Sequence, residues 1–433
     1  MSVPIPKGVF DILPCADDVK EPWRDSEKWQ YIESIIRQTT KSYGYKEIRT
    51  PIFERTELFK RGVGEGTDIV TKEMYTFEDK GGRWMTLRPE GTAAVMRCAI
   101  EKKLYNDSPW TKLFYMGPMF RYERPQAGRY RQHHQFGIEA IGNKAPEQDV
   151  EVIDLVYALY RKLGLKDLTF SLNSVGDNDC RQNYRKALRD YLQPHLSEMS
   201  PDSQTRFDAN PLRILDSKDE RDKKLVATAP NILDFLNEEC RDHFETLKKS
   251  LDLLKIPYQI NPLLVRGLDY YDKTVFEIVS NELGAQNSIG GGGRFDGLIR
   301  SLGGSDVPAV GFATGLERVI QTMLGQGASF PERSAPTCFF IPLSNEAKAV
   351  CMQKVHELRQ KGVVAEMDLS GKKLKVAMRY ADNVKAKYVI VMGEDELKKG
   401  CVELKDMIAR TSQEVSLKEL TQELTQQPLE TNS

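Results

Sequence analysis

Two short stretches carry most of the side chains that could do chemistry. Residues 88–92 read Arg-Pro-Glu-Gly-Thr, and residues 121–135 hold arginines, a glutamate, glutamines and two adjacent histidines between apolar runs. A guanidinium offers a rigid fork of donors to phosphate oxygens, and a carboxylate accepts hydrogen bonds from amines. The two stretches therefore predict a site for an anionic ligand that also hydrogen-bonds, such as a nucleotide beside an amine. The alternative interpretation is a solvated basic hairpin.

The order of the polar motifs along the chain favours the binding site. Residues 113–139 have a strand-loop-strand pattern that resembles motif 2 of the class II aminoacyl-tRNA synthetases, and residues 43–54 and 311–318 resemble motifs 1 and 3. Two further segments, 264–271 (Leu-Val-Arg-Gly-Leu-Asp-Tyr-Tyr) and the glycine run with its flank at 290–298, narrow the resemblance to the histidyl-tRNA synthetase family. This similarity extends from near the N-terminus into the C-terminal region.

The resemblance implies an ATP-dependent ligase that joins L-histidine to tRNA(His) through a histidyl-adenylate. It also implies Mg²⁺ bound with ATP, and a homodimer whose interface is the helix and strand around motif 1. A hypothesis from another class is a synthetase-like regulatory subunit of histidine biosynthesis, which binds histidine as an effector. Arg121, Arg266 and Arg318 occur together here with a C-terminal domain, and this combination favours the enzyme.

Each motif assigns its residues a role by resemblance. Arg121 and Arg266 are the expected catalytic residues, because both would contact the α-phosphate. ATP would be held by Arg121, by Glu123 at the adenine amino group and by Arg318 at the γ-phosphate. The residues expected to bind histidine are Glu90, Gly91, Thr92, Arg121, Gln135, Glu139, Arg266, Tyr270 and Tyr271.

Within the histidine pocket, resemblance places the α-amino group near Glu90 and Thr92. Glu139 would accept a hydrogen bond from one imidazole nitrogen, and Tyr271 would donate to the other. A pocket that binds both ring nitrogens rejects isosteres, because a mismatched side chain leaves buried polar groups unpaired. Tyr270 either lines the ring pocket or only packs against it.

Several motif positions leave alternatives open. The glycine run from Gly290 allows either a close backbone approach to the ligand or a flexible turn. Phe295 stands where the family commonly has tyrosine, so a contact through that hydroxyl is in doubt while ring packing is kept. His133 and His134 would point to opposite faces of a strand and cannot easily share a metal ion, so a structural or tRNA-facing role is preferred.

The tip of the motif 2 loop is expected to face the tRNA acceptor end through Arg124 and Gln126. No protein side chain is expected to bind a metal. The seven cysteines are scattered and never spaced as C-x-x-C, which argues against a zinc site or a disulfide framework and favours reduced, buried thiols.

Composition sets limits on the class of protein. A chain of 433 residues has room for about two to three domains. The 62 lysines and arginines balance 63 acidic residues, so nucleic-acid contacts would depend on local patches. The N-terminus lacks an apolar signal region, and no stretch approaches the ~18 apolar residues of a membrane span. We therefore expect a cytoplasmic protein that does not insert into membranes.

The elements that position these motifs can be predicted from periodicity. Apolar residues at helical spacing predict a helix from near Glu21 to Gly44, followed by a strand over 46–54 that Pro51 confines to a sheet edge or interrupts. Helices are predicted over 93–105 and 147–163. The remaining pattern from 85 to 141 and from 264 to 315 alternates strands and turns, which predicts an antiparallel sheet flanked by helices.

The predicted fold class is α+β, with the antiparallel sheet of the class II synthetases. Residues 1–175 and 258–325 would form the catalytic domain, and the charged helical segment 176–257 an insertion domain against the tRNA acceptor arm. The alternative for 176–257 is a helical excursion that only supports the core. A breaker-rich linker precedes an α/β anticodon-binding domain over 334–425, and residues 426–433 would be a disordered tail.

Overall fold

A computed structural model describes residues 3–14, 20–65, 67–106, 108, 110–125, 128–280, 288–332 and 335–426. The chain forms two compact units, Met1–Phe330 and Pro331–Ser433. The boundary between them lies inside the predicted breaker-rich linker. Almost all of the predicted disordered tail lies outside the described residues. No helix in the described part of the chain is long and apolar enough to cross a membrane.

The first unit is built around a large sheet with helices on its faces. Its strands are β1 (Lys46–Glu47), β2 (Phe53–Arg55), β3 (Tyr75–Glu78), β4 (Trp84–Leu87), β5 (Thr111–Phe120), β6 (Gln132–Ile141), β7 (Leu168–Ser174), β8 (Gln259–Ile260), β9 (Asp272–Ser280), β10 (Ser288–Arg294) and β11 (Ala309–Gly315). Its α-helices are α1 (Ser26–Ser42), α2 (Thr56–Val63), α3 (Thr92–Glu101), α4 (Pro146–Lys162), α5 (Asn178–Leu192), α6 (Pro201–Ala209), α7 (Glu220–Val226), α8 (Glu238–Leu253), α9 (Leu298–Ser301) and α10 (Leu316–Gly325). Single turns of other helix types lie at Pro22–Arg24, Ile69–Glu73, Gln193–Glu198, Pro211–Ile214 and Ile232–Phe235.

The main sheet has eight strands in the order β1-β5-β6-β11-β10-β9-β7-β8, and β2, β4 and β3 form a small separate sheet. All the pairs from β5 to β7 are antiparallel, whereas the short edge strands β1 and β8 pair in parallel. The predicted antiparallel sheet flanked by helices is therefore confirmed. Pro51 lies between β1 and β2, so the predicted interruption of that strand is also confirmed.

Alternation along the central strands separates the core from the other face of the sheet. Phe136, Ile138, Phe276 and Phe312 point toward α1, α4 and α10 and lie in the largest hydrophobic cluster. The residues that alternate with these along each strand, such as Glu139 next to Ile138, face the opposite side, because successive strand residues point to opposite faces. This geometry presents the polar residues of β6, β9, β10 and β11 together on one surface.

The first helix begins later than its periodicity predicts. Proline-containing residues Pro22–Arg24 form a 3-10 turn, and α1 starts after Asp25, whose side chain accepts from the Glu27 amide at 3.2 Å. This side-chain cap sets the helix start. The predicted end is correct, since Gly44 follows with a positive φ of 78°.

The region predicted as an insertion is helical, as expected. The side chains between α5 and the turn at Ile232–Phe235 share a cluster that includes Tyr184, Leu188 and Ile214 and also takes in Val275 of β9. Helix α8 differs, because Phe244, Leu247 and Leu251 belong to the main core. The last helix of this region therefore packs on the sheet-bearing body.

The second unit contains a mixed five-stranded sheet. Its elements are β12 (Cys338–Pro342), α11 (Asn345–Gln360), β13 (Ala365–Met367), α12 (Leu374–Asn383), β14 (Tyr388–Met392), α13 (Glu394–Lys399), β15 (Cys401–Asp406), β16 (Thr411–Ser416) and α14 (Leu420–Gln426). The order is β13-β12-β14-β15-β16, with the first three strands parallel. The predicted α/β character is confirmed, but the antiparallel hairpin β15-β16 was not predicted, because β15 alternates buried with exposed residues and β16 is mostly exposed.

Candidate active site

A cavity of about 440 Å³ lies on the polar face of the main sheet. Strands β6, β9, β10 and β11 form its floor, and residues from the loops before α3 and β9 line its walls. The predicted site residues that line it are Glu90, Thr92, Arg121, Glu123, Gln135, Arg266, Tyr270, Tyr271 and Arg318. Segments far apart in sequence are thus brought to one place, as the motifs predict.

Three predicted residues are not among those that line the cavity. Gly91 lies under the ring of Tyr115, and Glu139 lies just below the floor. Arg124 is exposed outside the cavity. Gln126 lies outside the described residues.

Glu90 is held by the start of helix α3. Its carboxylate accepts from the backbone N–H of Thr92 at 2.7 Å and of Ala93 at 3.0 Å, which satisfies two amides that the helix itself leaves unpaired. Burial raises the pKa of Glu90, although these bonds and Arg121 oppose the shift. The carboxylate is thereby fixed in place at the wall of the cavity.

Glu139 is the most unusual acid of the site. It is 1% exposed, and its Oε1 accepts from the Thr92 hydroxyl at 2.7 Å, while its Oε2 has no hydrogen-bond partner among the described residues. A Cβ on Gly311 would lie 2.1 Å from that oxygen, so only glycine leaves room for it. Burial raises the pKa of Glu139 well above its usual range, and Glu90 adds to the shift. A buried acceptor without a donor is suited to a ligand N–H.

Arg266 is similarly incomplete in its pairing. Its Nη1 donates to Glu277 at 3.0 Å, and its Nε has no partner among the described residues. Burial alone would lower the pKa of Arg266, but Tyr271 and Glu277 raise it overall. A Cβ on Gly291 would lie 2.6 Å from the guanidinium carbon, so β10 carries glycine where this side chain crosses it.

Two other arginines are oriented by backbone carbonyls. Arg121 donates from Nε to the carbonyl of Pro89 at 2.8 Å, and Arg318 donates to those of Gly128 at 3.0 Å and Ser288 at 2.5 Å. Burial lowers the pKa of Arg318, and the neighbouring cations Arg129 and Arg121 contribute to the shift. Such crowding of partly buried and exposed guanidinium groups favours an anionic ligand between them.

Glu123 lies among these cations. Its carboxylate is 3.2 Å from Arg129 Nε and 4.0 Å from Arg121 Nη1. The acid therefore lies beside these arginines and lines the cavity with them.

Aromatic rings close the other end of the cavity. The centroids of Tyr270 and Tyr271 are 4.7 Å apart, and the Phe295 ring lies 5.4 Å from Tyr270 and 6.4 Å from Tyr271. Phe295 therefore keeps the expected ring packing. Tyr270 both lines the cavity and packs on its neighbours, so the two alternatives for this residue are both present.

The glycine run is a central strand rather than a flexible turn. Residues 290–293 belong to β10 and pair with β9 and β11. Added side chains would meet Phe312 at Gly290 and the carbonyl of Gly311 at Gly292. The run therefore allows close packing on one face and close approach of Arg266 on the other.

The adjacent histidines point to opposite faces, as predicted. His133 lines the cavity, and burial, together with Arg121, His134 and Arg318, lowers its pKa to about 3. His134 contacts Glu317 through its backbone N–H at 2.7 Å and its Nδ1 at 3.0 Å, and its ring packs on Trp29. The two cannot share one ion in this arrangement.

Sequence reasoning missed four residues that line the cavity: Tyr115, Asp216, Lys218 and Glu277. Tyr115 fills the space above Gly91 and Gly137, where a Cβ would lie 2.3 Å from its ring. Glycines opposite an aromatic residue in a strand pair were an available signal. The other three come from the charged loop before α7 and from β9, outside the segments that resemble the family motifs.

Comparison with known proteins gives a consistent result. The family model described as histidyl-tRNA synthetase matches residues 18–319, and an anticodon-binding domain model matches 337–427. The chain is 60% identical to the histidine–tRNA ligase of Protochlamydia amoebophila, over 97% of its own length and 99% of that protein.

The solved structures agree on the fold. The apo histidyl-tRNA synthetase of S. aureus is 38% identical with a TM-score of 0.82, covering 98% of this chain and 100% of the other. A protein from Bacillus halodurans described as an ATP phosphoribosyltransferase regulatory subunit/histidyl-tRNA synthetase has a TM-score of 0.65 at 21% identity, covering 91% and 100%. The latter likeness concerns the fold alone.

Proposed function

This chain belongs to the histidyl-tRNA synthetase family, and from that premise we propose the roles its residues play when it joins histidine to tRNA(His). The reaction uses ATP, passes through a histidyl-adenylate and releases pyrophosphate and then AMP. The observation that carries the assignment is a buried carboxylate oxygen of Glu139 that has no partner among the described residues, next to Thr92 in the wall of an arginine-lined cavity.

Histidine binds with its ring toward Glu139 and the tyrosines. Glu139 Oε2 accepts from one imidazole N–H, and Tyr271 donates to the other ring nitrogen in the neutral tautomer. Thr92 orients Glu139 through its hydroxyl and, with Glu90, Gln135 and the Gly91 turn, contacts the α-amino group. The acceptor and the donor on opposite sides of the ring exclude apolar side chains of similar size. Tyr270 packs as the wall of the ring pocket.

ATP binds toward the arginines. Arg318 holds the γ-phosphate, Glu123 accepts from the adenine amino group, and Arg121 and Arg266 contact the α-phosphate. A carboxylate oxygen of histidine attacks the α-phosphorus, and the bond to the pyrophosphate oxygen breaks as the new bond forms. Arg266 stabilises the charge on the α-phosphate oxygens in this step, because it lines the cavity and its buried Nε has no partner among the described residues.

The family implies Mg²⁺ with ATP, and the side chains present fit it. Asp216 and Glu277 line the same cavity, and the pKa of Asp216 is raised by burial first and then by Glu277. Two carboxylates that disfavour each other's charge are stabilised by a cation. Mg²⁺ would be held by phosphate oxygens and these acids, and it would neutralise phosphate charge.

We divide the chain between catalysis and tRNA binding. We assign 1–175 and 258–325 to catalysis, 176–257 to contact with the acceptor arm and 334–425 to the anticodon. Arg124 and Gln126 at the tip of the motif 2 loop face the acceptor end. The match of an anticodon-binding model to 337–427 supports the last of these assignments.

A cytoplasmic homodimer is the proposed form. The small sheet exposes four large apolar side chains, Ile52, Phe53, Phe77 and Trp84, and the last of these is 60% exposed. An apolar patch of this kind is typical of an interface. Trp84→Asp should shift the protein toward monomer in sedimentation experiments, whereas Ile408→Asp, at an exposed apolar residue of the second unit, should not. Identical dimerisation of both variants would place the interface elsewhere.

The regulatory-subunit alternative is less supported, because the relative at 60% identity is a ligase over almost its full length. Histidine-dependent exchange of pyrophosphate into ATP, followed by charging of tRNA(His), tests the proposal. We expect both activities with histidine and neither with phenylalanine. Tight histidine binding without exchange would instead support an effector-binding subunit.

A further inference from the structure

A second cluster of potential ligands lies away from the cavity, where the segment 176–257 joins the sheet. Asp177 precedes α5, Cys180 lies in its first turn, and Cys240 lies in the first turn of α8. One ligand atom from each of these three residues lies within 4.8 Å of the others. This is the one group of three or more histidine, cysteine and acidic residues in the described ranges with that proximity.

The two helix starts repeat the same local structure. Asp177 accepts from the Cys180 amide at 2.9 Å, and Asn237 accepts from the Cys240 amide at 2.9 Å. The two caps are also joined, because Asn237 donates from Nδ2 to Asp177 at 2.7 Å and from its backbone to Cys180 Sγ at 3.2 Å. The ligand atoms are therefore held by a network of side-chain and backbone hydrogen bonds that fixes both helices.

Glycine makes this close approach possible. Gly176 has a φ of +64°, and a Cβ there would lie 2.4 Å from Cys180 Cβ. Both thiols are buried, at 2% and 0% exposure, while Asp177 reaches the surface in part. Asp177 is therefore the one of these three ligand groups that solvent reaches.

We propose that Cys180, Cys240 and Asp177 bind one soft divalent metal ion, of the Zn²⁺ class. Two sulfurs and one oxygen select such an ion over Mg²⁺ or Ca²⁺, which prefer oxygen alone. Zinc bonds of about 2.3 Å to sulfur and about 2.1 Å to oxygen place tetrahedral ligands roughly 3.5–3.8 Å apart. The observed separations need a contraction of at most about 1.3 Å to reach this geometry.

Binding requires no oxidant or reductant. Each thiol releases its proton to solvent as its sulfur takes up the metal, and a water molecule completes the tetrahedron from the exposed side. The ion would tie the first helix of segment 176–257 to its last helix, α8. Because α8 packs in the main core, the metal would anchor the base of that segment.

Cadmium is the probe, since its bonds to thiolates absorb in the ultraviolet. The full-length chain carrying Cys15→Ser, Cys98→Ser and Cys401→Ser serves as the parent, which removes the thiols that are partly exposed or outside the described residues. We expect one Cd²⁺ per chain with a thiolate charge-transfer band. Zn²⁺ should compete for the site and raise the unfolding midpoint by at least ~2 °C.

Three variants and one control locate the site. Cys180→Ser or Cys240→Ser should weaken Cd²⁺ binding by about 100-fold or more, and the double variant should abolish the band. Asp177→Asn keeps the cap acceptor, so it should fold normally and still weaken binding. Cys338→Ser removes a buried thiol of the second unit and should leave Cd²⁺ binding unchanged. Histidine-dependent pyrophosphate exchange checks that each variant is folded.

The proposal is overturned by either of two results. One is a folded parent that takes up no stoichiometric Cd²⁺ or Zn²⁺. The other is a folded double variant that binds as the parent does, which would place the ion at other ligands. Weakened binding in Asp177→Asn with normal exchange activity would support coordination by the carboxylate and exclude simple misfolding.

Discussion

Two arginines at strand β10, the buried Arg294 in the strand and the partly buried Arg266 that crosses it, differ in how completely they are paired. Arg294, at the end of β10, donates to Asp149, to Asp296 and to the carbonyls of Asn143 and Ala145. Arg266 donates to Glu277 and leaves its Nε without a partner among the described residues. Since unpaired buried groups are destabilising, the complete set marks a structural role and the incomplete set marks a place prepared for a ligand.

Two buried acids, Asp149 and Glu139, show the same contrast in pairing. Asp149 accepts from Arg294, from His243 at 2.8 Å and from Thr274 at 2.6 Å, and these partners outweigh burial and lower its pKa. Glu139 accepts from Thr92 alone, and burial raises its pKa. At equal burial, the pKa values of the two acids thus shift in opposite directions according to the number of donors. The empty acceptor belongs to the candidate site.

The largest expected effect is the loss of stability when Arg294 is removed from its buried cluster with Asp149. Arg294→Ala leaves Asp149 buried without its main partner, which should destabilise the fold by about 3–5 kcal/mol. Urea unfolding measures this. The matched control is Arg300→Ala, whose ion pair with Asp306 is exposed and should contribute under about 1 kcal/mol. An Arg294→Ala protein of unchanged stability would remove the distinction drawn between the two arginines.

The next effect is on chemistry. Arg266→Ala should slow adenylate formation by about 10²–10³-fold, since one preorganised donor to the developing charge is lost, while stability changes little. Arg266→Lys should restore the rate only in part, because a point charge cannot form two parallel hydrogen bonds. Single-turnover formation of the adenylate at saturating ATP and histidine is the measurement. A rate within a few-fold of the parent would reduce Arg266 to a structural partner of Glu277.

Glu139→Gln should separate binding from stability. With Thr92 donating to the remaining amide oxygen, the substitution puts an NH2 donor where Oε2 would accept from the imidazole N–H, so histidine affinity should fall by about 10-fold or more while ATP binding is kept. Calorimetry with each ligand tests this. Unchanged histidine affinity would show that Oε2 does not contact the ring.

The stability of the same variant relative to the parent should also depend on pH, in a direction set by the pKa of Glu139. The folded pKa of Glu139 is raised, so the folded state holds its proton more tightly than the unfolded state does. Between the unfolded carboxyl pKa of about 4.3 and the raised value, the parent loses stability as pH rises. Glutamine does not titrate, so Glu139→Gln should be more stable than the parent at about pH 8 and nearly equal at about pH 4. The reverse trend would mean that Glu139 is charged and paired in the folded protein.

The smallest effect is expected at Phe295, which follows Arg294 in sequence and packs on the tyrosines of the cavity. Phe295→Tyr adds a hydroxyl but keeps the ring contacts, so adenylate formation should change by less than about tenfold. Steady-state pyrophosphate exchange suffices to measure it. A larger change would show that the hydroxyl reaches a substrate, and would extend the ligand site toward the Arg294 cluster.

Local patterns were sufficient for much of the fold. The helix over 147–163 was predicted almost to the residue, because its apolar spacing and flanking breakers are local signals. The start of α1 was missed because the cap at Asp25 and the preceding proline turn override periodicity. The β15-β16 hairpin was missed because its half-exposed strands lack a continuous apolar run.

The site was predicted in its residue types but not in its pairing. Motif order placed Arg121, Arg266 and Arg318 in one site, and the structure brings them to one cavity. Nothing local in the sequence indicates that Glu277 pairs with Arg266 or that Asp216 reaches the same cavity. The cysteine pattern was also uninformative, because Cys180 and Cys240 come from two helices rather than from one C-x-x-C loop.

The sequence by itself determined the chemistry that is available, the family and most of the elements, since residue type, periodicity and motif spacing are properties of short segments. The tertiary structure alone decided which polar atoms are satisfied. Thr92 and Gly311 reach Glu139 from other parts of the chain, one supplying a donor and the other the empty space beside the second oxygen. Burial and hydrogen bonding depend on such distant neighbours, and they distinguish an acid that holds the fold together from one that awaits a ligand.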